Sequence, residues 1–224
     1  MPSLRWTFSY PITTIIALMM LSDVGFVLVH LAFKLDIVSH PHFSLTRDRG
    51  YAEVFQYLKI FWIVCLLGIL FIRFKALVLV AWAMIFSYML LDDSLQIHES
   101  VGGYLVTMFD IQPAFRLRAQ DFGELLVTAI AGIVLLSFLM VGYLKADKTF
   151  REISHRFLII LAGIAFFGIV VDMVHSMVPW GYQLFSIIED GGEMFIMSLA
   201  LGYSFHLLFE QRRQPVTQDT YKPT

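Results

Sequence analysis

The sequence is poor in charged residues and contains a single cysteine. Only 15% of its 224 residues are Asp, Glu, Lys or Arg, whereas a soluble domain carries about a quarter. The formal net charge is -2, so the composition excludes the basic surface that a nucleic-acid partner requires. Because Cys65 stands alone, a disulfide within the chain and a Cys-x-x-Cys metal or redox motif are also excluded.

Long hydrophobic runs take the place of charge. The chain is 58% hydrophobic, and several runs reach the ~20 residues that a helix needs to cross about 30 Å of hydrocarbon. We therefore predict an all-α, polytopic membrane protein with a single domain of six transmembrane helices, residues 1–210, and a polar, disordered cytoplasmic tail, residues 211–224. The predicted spans are residues 10–33, 53–72, 76–99, 122–144, 156–178 and 185–209. Lys59 lies within the second span, where we expect it to snorkel or to pair with an acid.

The distribution of Lys and Arg predicts the orientation of these spans. Ten such residues fall on one side: Arg5, Arg73, Lys75, Lys145, Lys148, Arg151, Arg156, Arg212, Arg213 and Lys222. Five fall on the other side: Lys34, Arg47, Arg49, Arg116 and Arg118. Because cytoplasmic loops are enriched in Lys and Arg, we expect both termini in the cytoplasm. In a bacterial inner membrane, the long loops 34–52 and 100–121, which could hold short interfacial helices, would then be extracytoplasmic.

Residues 90–99 carry the densest group of polar side chains, at the end of the third predicted span. The group consists of Asp92, Asp93, Gln96, His98 and Glu99. Ionisable residues at membrane depth are costly, so they indicate a functional site. In a continuous helix, a step of about 100° per residue puts Asp92, Gln96 and Glu99 on one stripe with Asp93 beside it. His98 would face away from that stripe unless the helix unwinds there.

Four other predicted spans bring acids or histidines to the same side of the membrane. They are Asp23 and His30 in the first span, Glu124 in the fourth, Asp172 and His175 in the fifth, and Glu189 and Glu193 in the sixth. The alternative for residues 92–99 is a solvated helix end, and acids at a helix start gain ~0.3–1 kcal/mol each from the helix dipole. Neither alternative accounts for Asp172, near the end of its helix, or Asp23, about halfway along the first span. The shared depth therefore predicts one common site.

We predict that this site holds one or two divalent metal ions. Many carboxylates meet few bases here, and a bound cation relieves both their repulsion and their desolvation. Carboxylate and imidazole ligands without cysteine suit iron, manganese or zinc. The expected ligands are Asp92, Glu99, Glu124, Asp172, His175, Glu189 and Glu193, with Asp23, His30, Asp93 and Gln96 as additional candidates. The spacing Asp172-x-x-His175 resembles the Glu-x-x-His motif of carboxylate-bridged di-iron bundles, but a second such pair is missing, so the number of ions stays open.

The predicted function is that of a metal-dependent membrane enzyme whose site lies near the extracytoplasmic face. A carboxylate-rich centre favours an oxidoreductase of the di-iron kind, with Asp92 and His98 as catalytic residues and His98 as the acid or base. The substrate would be a lipid or another lipophilic molecule that enters sideways between helices. The chain lacks the His-rich boxes of membrane desaturases and hydroxylases.

Two alternatives remain open from the sequence. One is a zinc-type hydrolase of a lipid ester, amide or phosphoester, in which the ion activates water. The other is a proton or cation transporter, which predicts ionisable groups through the whole depth of the membrane. No nucleic-acid partner is expected, and the oligomeric state is open.

Overall fold

The computed structural model describes residues 10–178 and 180–211, the last two side chains excepted. Within these residues the chain is all-helical and has no strand. The helices are α1 Tyr10–Lys34, α2 Tyr51–Phe74, α3 Leu77–Leu95, α4 Ile97–Phe109, α5 Ala119–Leu144, α6 Lys148–Ala165, α7 Asp172–Met177 and α8 Tyr182–Gln211, with a 3-10 turn at Pro41–Phe43 and a π-helical turn at Phe166–Val171. Apart from Gln211, the predicted tail 211–224 lies outside the described residues.

Six helices are long and apolar enough to cross a membrane, which confirms that part of the prediction. They are α1, α2, α3, α5, α8 and the stretch Lys148–Met177, which α6, the π-helical turn and α7 form together. Short connections make neighbours antiparallel: Lys75 turns the chain in a left-handed conformation with φ 55°, and Asp147 caps α6 by accepting from the N–H of Phe150. As a result, the ends of α1, α3 and α7 and the starts of α2, α5 and α8 share one end of the bundle, here called the polar end.

The third predicted span is wrong at its C-terminal end, because the helix does not continue to Glu99. α3 ends at Leu95, and Gln96 adopts the left-handed conformation with φ 54° and ψ 47°. Oδ1 of Asp92 accepts a hydrogen bond of 2.9 Å from the backbone N–H of His98, one of the N–H groups that a helix start leaves free. This side chain takes the place of a helical carbonyl, and the chain turns into α4. The expectation of a short helix in this long loop is thereby confirmed.

The fifth predicted span begins earlier than expected and is interrupted. It starts at Lys148 rather than at residue 156, and it contains the π-helical turn Phe166–Val171 before α7. Such a turn widens the helix by one residue and is frequent at functional sites. Here it carries the chain directly to Asp172, the first residue of α7.

The opposite end of the bundle, the apolar end, is filled by aromatic side chains. Trp82, Phe86, Phe157 and Tyr203 are all 0% exposed. The ring centroid of Phe157 lies 5.1 Å from that of Trp82 and 5.0 Å from that of Tyr203. Nε1 of Trp82 donates to the Ser154 hydroxyl at 3.1 Å, so the buried indole keeps a hydrogen bond. This closely packed core fills the half of the bundle opposite the polar end.

Candidate functional site

A cavity at the polar end is lined by many acidic side chains. It has two adjoining parts of about 800 and 880 Å³, which share Asp93, Asp172 and Glu193 in their walls. We call these two parts together the acidic cavity. Its acidic residues are Asp48, Glu53, Asp92, Asp93, Glu99, Asp121, Glu124, Asp172, Glu189, Asp190 and Glu193, and its basic and imidazole residues are Arg47, Arg118, His98 and His175. The excess of carboxylates favours the uptake of cations or protons.

The structure brings every residue of the predicted ligand set to the acidic cavity. These residues are Asp92, Glu99, Glu124, Asp172, His175, Glu189 and Glu193. Asp93, an additional candidate, lines both parts as well. Gln96 stands behind the wall, where its amide donates to Asp48 at 3.2 Å and to Glu99 at 3.3 Å. The antiparallel arrangement of the helices explains this convergence, since each residue lies near the same end of its helix.

His98 lines the acidic cavity because the chain breaks at Gln96. The expectation that it faces away held only for a continuous helix. Its Nδ1 lies 3.0 Å from Oδ2 of Asp92. This hydrogen bond raises the pKa of His98 from 6.5 to about 9, against the opposing effect of burial. At neutral pH the ring is therefore an imidazolium, and its Nε2 is a proton donor.

His175 is held by α8 in a similar way. Its Nδ1 lies 2.8 Å from Oε2 of Glu189, and its ring stacks on Phe185 with the centroids 5.9 Å apart. Nε2 is buried and has no hydrogen-bond partner within residues 10–178 and 180–211. A carboxylate on one ring nitrogen that orients the other is the arrangement found around metal-bound histidines.

Glu193 reaches from α8 to the π-helical turn, where a glycine leaves room for it. A Cβ atom on Gly168 would overlap the carboxylate oxygen Oε1 of Glu193. The neighbouring contact is reversed, because a Cβ atom on Gly192 would overlap the ring of Phe167. The Gly191-Gly192 pair before Glu193 thus allows α8 to approach the π-helical turn closely, and this approach places the carboxylate in the cavity wall.

Glu99 and Glu124 are brought together by the close packing of α4 on α5. A Cβ atom on Gly102 would lie 2.8 Å from the backbone nitrogen of Glu124, so these helices meet backbone to backbone. The amide of Gln120 then links the two residues, donating to the Glu124 carboxylate at 2.8 Å and to the Glu99 carbonyl at 2.9 Å. Glycine on both helices therefore sets the distance between two predicted ligands.

The sequence analysis missed part of the cavity wall on α2. Glu53 lies in the first turn of α2, where it accepts hydrogen bonds from the backbone N–H of Arg49 and from the Tyr57 hydroxyl. Gln56, three residues later, is only 7% exposed, and its Oε1 has no hydrogen-bond partner in the described part of the chain. The signal was present, since two polar residues three apart precede an apolar run at the same end as the others. Asp48 and Asp190 also line the cavity without having been predicted.

Asp23 lies in a buried ion pair and does not line the cavity. Its Oδ1 lies 2.8 Å from Nζ of Lys59, and the two side chains are 4% and 0% exposed. Lys59 also donates to the Met194 carbonyl at 2.9 Å, and the Ser198 hydroxyl donates to Asp23. The prediction that Lys59 pairs with an acid is confirmed. The pair fastens α1, α2 and α8 together next to Met194, which belongs to the cavity wall.

His30 is also placed away from the cavity wall. It is 0% exposed, and its Nδ1 accepts a hydrogen bond of 2.9 Å from the backbone N–H of Leu45. The Ser44 hydroxyl lies 3.5 Å from the same nitrogen. His30 thus anchors the loop between α1 and α2, from which Asp48 reaches the cavity.

Among the residues that the structure describes, no group of three or more His, Cys, Asp or Glu side chains is arranged as a formed metal site. The side chains of the predicted ligand set share one cavity without converging on a single point.

A family model described as "Domain of unknown function (DUF8692)" matches residues 11–207. This range includes every residue of the acidic cavity and runs from the first long helix to the last. No curated protein and no solved structure matches the chain.

Proposed function

We propose that this chain, which belongs to the DUF8692 family of unknown function, is a metal-dependent integral membrane enzyme that acts on a lipophilic substrate. Its six long helices span the membrane with both termini in the cytoplasm, as the Lys and Arg distribution favours. The acidic cavity then lies toward the extracytoplasmic face. In a bacterium this is the periplasmic side of the inner membrane.

The observation that carries the proposal is a pair of carboxylate-held imidazoles in one cavity. Asp92 holds His98 through Nδ1, and Glu189 holds His175 in the same way. A purely structural histidine would satisfy both ring nitrogens, yet Nε2 of His175 is buried with no partner in the described residues. Since a second ligand on a carboxylate-held imidazole is commonly a metal ion, we assign His175 as a ligand.

The charge of the cavity supports a cation. Ionised carboxylates repel each other in a partly desolvated space, and a divalent ion relieves that repulsion. Asp172, Glu189 and Glu193 line the same part of the cavity as His175, so we assign them as the remaining ligands nearest to it. The proposal requires these side chains to turn toward a common ion when it binds. Asp92, Glu99 and Glu124 line the adjoining part and are assigned to a second ion.

The donor set favours an oxidoreductase within this class. Carboxylates with two imidazoles and no cysteine suit iron or manganese, and such ions support the oxidation of a substrate by dioxygen, which is itself reduced. His98 is assigned to proton transfer rather than to metal binding, because Asp92 holds it as an imidazolium at neutral pH. Asp92 positions this imidazolium in the cavity wall.

A transport function is less well supported than catalysis. A relay across the membrane needs ionisable groups along its whole depth. Beneath the cavity, Lys59 and Asp23 are already paired with each other. Beyond them the aromatic core around Trp82 and Phe157 fills the bundle.

The test is elemental analysis of the protein purified without chelator, together with its optical spectrum. We expect one or two iron or manganese ions per chain, and we expect Asp172→Ala and Glu193→Ala to lose them. The matched control is Asp110→Asn, because Asp110 is exposed on a loop, lies outside the cavity wall, and has a left-handed backbone that asparagine tolerates.

The outcomes separate the alternatives. Zinc alone, without an optical band, would turn the assignment to a hydrolase. A folded protein without any of these metals would refute the enzyme proposal and favour proton or cation transport.

A further inference from the structure

The second part of the acidic cavity continues into a gap with apolar walls between α5 and α6. Leu125 and Thr128 of α5 line one side of this gap. Leu161, Ile164 and Ile169, from α6 and the π-helical turn, line the other. We call these walls the apolar gap. Because the same cavity part is lined elsewhere by acids such as Glu124 and Asp172, it has a polar side and an apolar side.

The apolar gap exists because α5 and α6 are fastened at one end and drawn apart at the other. Near their connecting turn, the Tyr143 hydroxyl lies 2.8 Å from Nε2 of His155. The Arg151 guanidinium also donates there to the carbonyls of Tyr143 and Leu144, at 3.3 and 3.1 Å. Toward the polar end, α5 packs on α4 through Gly123 whereas the π-helical turn packs on α8. The two helices therefore have different partners where the gap lies.

We propose that the apolar gap holds one hydrocarbon chain of a membrane lipid, whose polar end reaches the acidic cavity. This inference rests on the proposed function, since it names the substrate class of the same site. Both walls belong to helices long enough to span the membrane. Thr128 lies about 14 Å along α5 from its start at ~1.5 Å per residue. At that depth the neighbouring solvent is lipid hydrocarbon, which is as apolar as leucine.

The occupant follows from the match between the two sides of the cavity and the two ends of a lipid. A polar metabolite would leave Leu161 and Ile164 without a partner, and a wholly apolar molecule would leave the carboxylates without one. Leu125 is 37% exposed, so the gap borders the outer surface of the bundle. A lipid chain can thus enter from the membrane while its polar end stays at the depth of the acids.

The test uses photolabelling in nanodiscs of phosphatidylcholine that contain a phospholipid with a diazirine on one acyl chain. Ile164 is 8% exposed and lines the gap, whereas Ile160, one turn away on α6, is 5% exposed and does not line it. Lipid around the outside of the protein reaches neither residue. We expect peptide mapping to find label at Ile164 and not at Ile160. Label confined to outward residues such as Ile159, which is 64% exposed, would overturn the proposal.

A filling variant gives a second measurement. Leu161→Trp should occupy the gap and reduce the labelling of Ile164 at least tenfold. The control Ile133→Trp places the same side chain on α5 at a position that is 68% exposed and outside the cavity wall, so labelling should stay at the wild-type level. Equal labelling of Ile164 in folded Leu161→Trp would contradict the assignment. If Leu161→Trp does not fold, the wild-type labelling pattern decides alone.

The labelling is read in metal-free protein as well as in protein with its metal. We expect Ile164 to be labelled in both, because the apolar walls do not depend on the ion. Labelling of Ile164 in a protein that binds no metal would refute the enzyme proposal and leave the lipid gap standing. Metal binding without label at Ile164 would refute the gap alone.

Discussion

The contact between Gly168 and Glu193 allows a substitution that moves a proposed metal ligand without touching it. In Gly168→Ala, the new Cβ overlaps Oε1 of Glu193, so the carboxylate must leave its present position. This oxygen is the far end of a flexible side chain, and Glu193 can move it by changing rotamer. We therefore expect a local displacement of the carboxylate rather than a separation of α8 from the π-helical turn.

The expected change in stability is small because two effects oppose each other. Replacing glycine by alanine in a helix gains up to about 1 kcal/mol, and an off-rotamer side chain costs about 0.5–1.5 kcal/mol. The melting temperature of Gly168→Ala should stay within a few degrees of wild type, at about 2–4 °C per kcal/mol for a chain of this size. Metal affinity should fall further, by about 10–100-fold, the range seen when the support of a ligand is removed.

The assay is titration of metal-free protein with ferrous or manganous ion, followed by elemental analysis after desalting. Gly132→Ala is the matched control, since nothing lies within 4 Å of a Cβ atom at Gly132 in α5. This control should bind metal as wild type does. Glu193→Gln, which removes the charge, should weaken binding at least as much as Gly168→Ala. Wild-type affinity in folded Gly168→Ala would refute the positioning of Glu193 by the π-helical turn.

Three further predictions concern other contacts. Gly123→Ala should destabilise the protein by about 1–3 kcal/mol, because its Cβ would overlap a backbone oxygen of α4; an unchanged melting temperature in detergent would contradict this packing. In metal-free Asp92→Asn, the pKa of His98 should fall from about 9 toward 6.5, as histidine-ring NMR would measure. The raised pKa means that the wild-type pair stabilises the fold fully below about pH 6.5 and loses this contribution as the pH rises through 9; a titration equal to wild type would rule out this pairing. Lys59→Met alone should destabilise by about 3–5 kcal/mol because it leaves Asp23 charged and buried, whereas Lys59→Met with Asp23→Leu should recover most of that loss; equal melting temperatures of the single and double variants would exclude the ion pair.

The six long helices and their polar end could be predicted because both depend on composition and direction alone. An apolar run of about 20 residues has few alternatives to a membrane helix, and short connections force alternation. Once the directions alternate, Glu124, Asp172 and Glu193 must lie at one end, whatever the packing. The convergence of the predicted ligand set on one cavity therefore needed no contact information.

The break at Gln96 could not be predicted from the sequence in the same way. Nothing in the residues around it is a strong helix breaker, and the left-handed turn is stabilised by the contact between the Asp92 carboxylate and the His98 backbone. A contact of this kind depends on where α4 packs, which is decided by its glycine contact with α5. The error in the third span is thus a tertiary effect on a locally helical segment, and it reversed the expected direction of His98.

The partner of Lys59 shows the same limit from another side. Charge alone predicted that a buried lysine needs an acid, but several acids lie at nearby depth. Asp23 is selected because α1 and α8 meet there and the Ser198 hydroxyl supports its second oxygen. This pairing removes from the predicted ligand set a residue that sequence reasoning had ranked among the strongest.

The distribution of packing within the bundle suggests why the acidic cavity can exist at all. A set of like charges destabilises the end of the bundle that holds it, so stability has to come from elsewhere. The apolar end supplies it through fully buried aromatic side chains such as Trp82 and Phe157, and the Lys59–Asp23 pair joins three helices between the two ends. At the polar end, close glycine contacts hold the helix backbones together without filling the space between them. The carboxylates are then free to answer to a ligand rather than to the demands of folding, which is the condition that a metal-binding cavity requires.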